Sequence, residues 1–144
     1  MFKRWIEIDL KKSPLIIGPR RCGKTTYLKY TFPDYSYTTL DDFDALIWAE
    51  KDPKGLLTSL GQHCIIDEVQ RVPRLTIAVK YAIDNKNTHI LMTGSSSIGL
   101  LDASADTLAG RINHYSMTTA CWGESTSKPL HSIFHETASF PAIK

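Results

Sequence analysis

Apolar residues fall in short runs along this chain, each stopped by glycine, an acidic pair or a small polar cluster. Ser13-Pro14-Leu15-Ile16-Ile17 ends at Gly18, and an unbroken, β-branched run of this length predicts a buried strand. A loop follows, then a helix from about Lys24 that must end near Phe32-Pro33, because proline disfavours helical geometry in the residue before it. Tyr35-Ser36-Tyr37-Thr38-Thr39-Leu40 alternates and is aromatic and β-branched, which predicts a second strand. Asp41-Asp42 and Asp52-Pro53 are caps for two short helices, the first carrying Ala45, Leu46, Ile47, Trp48 and Ala49, the second Leu56, Leu57 and Leu60. Cys64-Ile65-Ile66 is a third strand that stops at Asp67-Glu68. Val72-Pro73 then opens a helix with Leu75, Val79, Ala82 and Ile83 at helical spacing. His89-Ile90-Leu91-Met92 predicts a fourth strand ending in Thr93-Gly94-Ser95-Ser96-Ser97, and Arg111–Met117 a fifth. Strands alternating with helices predict an α/β fold, a three-layer sandwich around a mostly parallel five-stranded sheet.

Beyond Ala120 the pattern fades. Residues 112–144 hold four charged side chains and nine Ser/Thr without a clear period. A core over residues 1–124 and a weakly structured or truncated tail over 125–144 are therefore expected. No repeat or second domain is visible. The whole chain is 144 residues, 42% hydrophobic and 22% charged, the make-up of one ordinary globular domain. No window approaches the roughly 20 apolar residues of a membrane span, and the amino end lacks the apolar core of a secretory signal. A cytoplasmic protein with no membrane partner is expected. Three cysteines, Cys22, Cys64 and Cys121, form no CxxC pair and argue against a disulfide framework or a structural zinc site.

The net charge of +2 conceals a gradient: residues 1–30 hold eight Lys/Arg against two acids, and residues 31–72 three against eight. Clustered cations suit a polyanion, either nucleic acid or the phosphates of a nucleotide. Lys3, Arg4, Lys11 and Lys12 read foremost as a solvated basic face, with nucleic-acid binding as the sharper alternative.

Arg20, Arg21 and Lys24 differ because of their neighbours. Gly18-Pro19-Arg20-Arg21-Cys22-Gly23-Lys24-Thr25 fits G-x-x-x-x-G-K-[ST] and lies between a buried strand and a helix, where a phosphate loop belongs. Glycine lets the backbone wrap close to a polyphosphate, and side chains at Gly18 or Gly23 are expected to obstruct that approach. The following helix adds its dipole. Lys24 would reach the β and γ phosphates and the Thr25 hydroxyl would ligate Mg²⁺, with Thr26 and the loop backbone from Gly18 completing the cradle. Arg20 and Arg21 either support the phosphates or form an exposed lip. Cys22 is either a spacer or a thiol activated by its cationic surroundings.

Asp67 is expected at the carboxyl end of its strand, where open α/β sheets bind ligands, supporting Mg²⁺. Glu68 beside it is placed to activate a water for attack. Thr93 and Ser95 end the next strand, where a hydroxyl can report on the γ phosphate or simply bond a turn. Arg111 is a candidate to neutralise transition-state charge in its own or a neighbouring subunit, or else a surface arginine. His131 and His135 stand at i, i+4, but no third metal ligand is evident.

Taken together, Ile17–Thr26, Ile65-Ile66-Asp67-Glu68-Val69-Gln70-Arg71-Val72-Pro73, Met92-Thr93-Gly94-Ser95-Ser96-Ser97 and Leu108-Ala109-Gly110-Arg111 resemble a prokaryotic AAA-type P-loop ATPase family. Asp-Glu-x-Gln after the third strand, combined with Thr-Gly-Ser-Ser after the fourth, is more specific than either Walker motif alone. Met117–Glu124 looks like a divergent copy of the family's next segment. The resemblance implies ATP as the nucleotide and a sensor strand lying between the Walker A and Walker B strands. Such proteins usually continue into a long C-terminal region, and the chain stops about 20 residues after the last matched motif.

The leading expectation is Mg²⁺-dependent ATP binding and hydrolysis, with Lys24, Glu68, Ser95 and Arg111 acting on the reaction, Thr25 and Asp67 on the metal, and self-association or a protein client as the partner. A nucleotide-gated binding module with negligible turnover is the first alternative, and a small-molecule phosphotransferase the second. Trp5 and Ile6 either pack on the nucleotide base or belong to the core.

Overall fold

The computed structural model describes Arg4, residues 6–95 and residues 107–119. Five strands, β1 (Ser13–Ile17), β2 (Ser36–Thr39), β3 (His63–Asp67), β4 (His89–Gly94) and β5 (Ile112–Ser116), form one sheet in the order β2-β3-β4-β1-β5. All four pairings are parallel, so the sheet is wholly rather than mostly parallel. Among the described residues, helices α1 (Lys24–Thr31), α2 (Phe43–Lys51), α3 (Pro53–Leu60) and α4 (Leu75–Lys86) fill the first three crossovers, with a 3₁₀ turn at Val69–Arg71.

Successive residues of a strand point to opposite faces, and the core divides on that parity. Leu15, Ile17, Cys64, Ile66, Ile90 and Met92 face one way and pack with Leu56 and Leu57 of α3 and Leu75, Ala78, Val79 and Ala82 of α4. Ile16, Ile65 and Leu91 face the other way, against Tyr27 and Leu28 of α1. This is why the central strands read as unbroken apolar runs: both faces are covered. Burial pushes the Cys64 thiol up to about 12, so it behaves as an inert apolar residue.

The segment before β1 joins the second cluster. Ile6 packs there and its carbonyl accepts from the Tyr27 hydroxyl at 2.9 Å, which assigns Ile6 to the core rather than to a base. Trp5, Lys3, Ser96–Ser97 and the 125–144 tail with His131 and His135 lie outside the described residues.

Candidate nucleotide site

Because every strand runs the same way, the turns after β1, β3 and β4 meet at one edge of the sheet. Between them and the start of α1 lies a cleft of about 380 Å³ lined by Arg20, Arg21, Gly23, Lys24, Thr25, Thr26, Asp41, Asp67 and Glu68. The two conspicuous glycines are each required by the local backbone, for different reasons. A Cβ on Gly18 would lie 2.0 Å from the Met117 carbonyl oxygen, so the exit of β5 by itself requires glycine there. At Gly23 a Cβ would only reach ordinary contact with the Arg4 guanidinium at 3.9 Å, but the residue adopts φ +93°, a left-handed turn that lets the loop feed into α1. Arg21 is also left-handed, at φ 62°, and it and Arg20 are exposed on the lip of the cleft.

Arg4 ties the loop down. Its guanidinium donates to the Cys22 carbonyl at 3.1 Å and to the Thr118 carbonyl at 2.6 Å, so Arg4 is committed to the loop and is not part of a solvated basic face. Cys22 is buried in the second core cluster and its Sγ lies 3.4 Å from the Met117 carbonyl oxygen, the position of a packed spacer.

Lys24 is 5% exposed, and its ammonium donates to the carbonyls of Gly18 and Pro19, both at 2.8 Å. It spans the hollow of the loop. Gly23 supplies no side chain to cap α1, so the first-turn N–H groups point into the cleft. These donors, the helix dipole and a buried ammonium make the loop a site for a polyanion.

Opposite stands a carboxylate saturated with hydroxyls. Asp67 Oδ2 accepts from Thr25 at 2.6 Å and from Tyr37 at 2.9 Å, while Oδ1 accepts from Thr93. Burial, and then the neighbouring Asp67 charge, push the Tyr37 phenol up to about 12, so Tyr37 keeps its proton and remains a donor. The Thr25 hydroxyl and Asp67 carboxylate are hard oxygen ligands side by side at the phosphate loop, a donor set that fits Mg²⁺ shared with substrate phosphates. Among the described residues no group of three or more His, Cys, Asp or Glu is placed to hold a metal unaided.

Glu68, 8% exposed, follows Asp67 in left-handed geometry at φ 61° and ψ 44°, with its N–H directed to the Thr93 hydroxyl at 3.3 Å. Such a conformation costs a non-glycine residue on the order of 1 kcal/mol. Thr93 is fully buried between Asp67 and the Glu68 backbone, whereas Ser95, one residue past β4, is the hydroxyl at the tip. Gln70 donates through Nε2 to Glu68 Oε2 and, at 2.9 Å, to Ser95 Oγ. On the rim Arg71 pairs with Asp41 at 2.5 Å.

Arg111 is elsewhere. Its carbonyl accepts from Ser13 N–H at the amino end of β1, a strand length of about 16 Å at ~3.3 Å per residue from the phosphate loop. Its guanidinium forms a two-pronged pair with Asp84 at 2.7 and 3.0 Å, which lowers the carboxyl's pKa and raises its own. The structure therefore does not bring Arg111 to this chain's own site.

Sequence reasoning missed Tyr37 and Arg4 and gave Gln70 no task. Nothing local distinguishes Tyr37 from its neighbour Tyr35, and the Arg4 contact spans 114 residues. A second cavity, about 400 Å³ between α3 and α4, is lined by Leu57, Ala78, Tyr81 and Ala82 with Lys54 and Lys86 at its rim, and holds none of the loop's groups.

A parallel sheet whose β1–loop–α1 unit carries this loop, with an acidic pair at the end of the strand beyond the adjacent one, defines a P-loop nucleotide-binding domain. The chain belongs to the AAA domain family, whose model matches residues 11–126. Uncharacterized proteins of Mycobacterium tuberculosis and Mycobacterium bovis are each 31% identical to it over 110 residues, which cover 72% of this chain and 24% of theirs. The chain thus spans about a quarter of the length of these relatives. The mouse cytoplasmic dynein 2 heavy chain 1 is 31% identical over 65 residues, 45% of this chain and 2% of that protein. A solved structure of the Drosophila ORC bound to AT-rich DNA and Cdc6 superposes with a TM-score of 0.47 at 10% identity, covering 91% of this chain and 58% of that one. The implied placement of the sensor strand holds: β4 lies between β1 and β3. Among the described residues no helix is long and apolar enough to cross a membrane.

Proposed function

We propose that this domain binds ATP with Mg²⁺ and hydrolyses it between the β and γ phosphates. The observation that carries the reading is the facing pair of half-sites. A buried ammonium and an uncapped helix start form one side, and the hydrogen-bonded Thr25–Asp67 pair, followed by Glu68, forms the other. Lys24 exchanges the Gly18 and Pro19 carbonyls for phosphate oxygens as the nucleotide enters. Thr25 and Asp67 would hold Mg²⁺, which when bound neutralises charge on the β and γ oxygens. Glu68 accepts a proton from the attacking water, and Ser95 at the adjoining tip donates to a γ oxygen. The fifth strand and the segment before β1 hold the loop in shape, while Arg20 and Arg21 form its outer lip.

Calorimetry of Mg·ATP binding on wild type and Lys24→Ala, with phosphate release followed in the same samples, tests this. Binding and release in wild type, both lost in the variant, support it. Binding without release selects a nucleotide-gated module that acts on a protein client or a second copy of the chain. Release that needs an added acceptor selects phosphoryl transfer to a small molecule. Absence of wild-type binding overturns all three. The setting is proposed to be the cytoplasm, where ATP is abundant. Nucleic-acid contact through Lys11 and Lys12 would weaken steeply with salt.

A further inference from the structure

Gln70 stands where two strand tips meet. It lies in the 3₁₀ turn after β3, and its amide nitrogen donates to both Glu68 Oε2 and Ser95 Oγ. An ionised carboxylate only accepts hydrogen bonds, so Glu68 dictates that the nitrogen of the amide, not the oxygen, faces it. The consequence is visible on the other side of the amide: Gln70 Oε1 is buried and has no hydrogen-bond partner among the described residues. Leaving a buried acceptor unpaired costs free energy, and here that cost accompanies one fixed orientation of the group.

That orientation has a polarity. With one Glu68 oxygen held by Gln70, the other is left to accept. With Ser95 Oγ accepting from Gln70, its own hydrogen is left to donate. We propose that Gln70 is a positioning residue for hydrolysis. It fixes the direction of a Glu68–Gln70–Ser95 relay so that Glu68 meets the reacting end of the nucleotide as a proton acceptor and Ser95 meets it as a donor. The inference rests on the ATPase reading above and adds to it how the base and the sensor hydroxyl are set by one side chain.

Gln70→Met keeps the length of the side chain and removes both donated bonds. It is expected to lower kcat by about tenfold or more while leaving KM and the calorimetric Kd for Mg·ATP within about twofold, because the amide acts on the chemical step. Gln70→Glu places a second acceptor against Glu68 and is expected to lose more. Ser95→Ala should lower kcat in the wild-type background, and its effect should shrink when combined with Gln70→Met, since both act through one relay. A kcat for Gln70→Met within about twofold of wild type overturns the inference. So does a parallel loss of kcat and nucleotide affinity, or a Ser95→Ala effect that simply multiplies. Wild type that binds Mg·ATP without turnover overturns the inference and the ATPase reading together, whereas turnover retained in Gln70→Met overturns the inference alone.

Discussion

Helices α2 and α3 close their own amino ends, and α1 does not. Asp42 accepts from the Ala45 N–H at 2.9 Å and Asp52 from the Gly55 N–H at 3.0 Å, so each first turn is supplied with a carboxylate by its own chain. At α1 the corresponding residue is Gly23, and the groups that converge there are a buried lysine and bare N–H groups. A capped helix end is finished by the fold, whereas an uncapped one that opens on a cleft beside a buried cation is suited to an anion. At α4, which also has no side-chain cap, the first-turn N–H groups of Leu75, Thr76 and Ile77 are met by the Val72, Pro73 and Arg74 carbonyls, so among the four helix starts glycine marks the one that faces the cleft.

Lys24→Ala should break the open end most completely. Charge-assisted bonds contribute about 1.5–3 kcal/mol each, so loss of the ammonium from two phosphates should weaken ATP by a hundredfold or more by calorimetry, on the order of 3 kcal/mol. A variant that binds as wild type does would mean that the backbone alone forms the site. Glu68→Gln should leave binding intact and slow phosphate release by about 10²–10⁴-fold, the usual contribution of a positioned base. Unchanged release would remove Glu68 from the chemistry. At the closed ends the effects should be on folding. Asp52→Ala should lower stability by about 1 kcal/mol in urea titration and leave nucleotide affinity untouched, and any fall in affinity would contradict the separation of the two kinds of helix start.

The smallest effect is expected at the far end of the sheet, from Arg111→Ala. Asp84 has its carboxyl pKa depressed by Arg111, so the pair contributes above the ordinary carboxylate pKa and its contribution disappears as pH falls through the depressed value. A small stability difference at neutral pH that vanishes in acid, with turnover per chain unchanged, is the expected result. Loss of turnover on mixing with a second copy of the chain would instead show that Arg111 serves a neighbour.

The fold was legible because a covered parallel strand leaves a simple trace: Leu15-Ile16-Ile17, Cys64-Ile65-Ile66 and Ile90-Leu91-Met92 are apolar at every position, and only a doubly covered sheet asks for that. The phosphate loop was legible because its residues are contiguous. What stayed hidden was made by distance along the chain. Tyr37 meets Asp67 across 30 residues, and Arg4 meets Thr118 across 114. At Gly18 a second demand for glycine comes from far along the chain, since a Cβ there would meet the Met117 carbonyl. Gln70 lay inside a recognised motif, yet only geometry brings its amide to Ser95. For Arg111 the local Ala-Gly-Arg context does not reveal which end of the sheet it reaches, and only the Ser13 and Asp84 contacts place it away from this chain's own loop.

The strand order has a consequence for how the molecule comes into being. Of the five described strands β1 leaves the ribosome first, but its neighbours in the sheet are β4 and β5, the last two of the five. Until residues 89–94 have been made, β1 has no described strand to pair with, and until Met117 follows, its carbonyl cannot close over Gly18. At roughly 5–20 residues per second of synthesis, the loop encoded earliest waits seconds for the chain that shapes it. The phosphate loop is therefore made well before the strands that flank it, and a nascent chain ending before Ile112 leaves β1 as an unpaired edge.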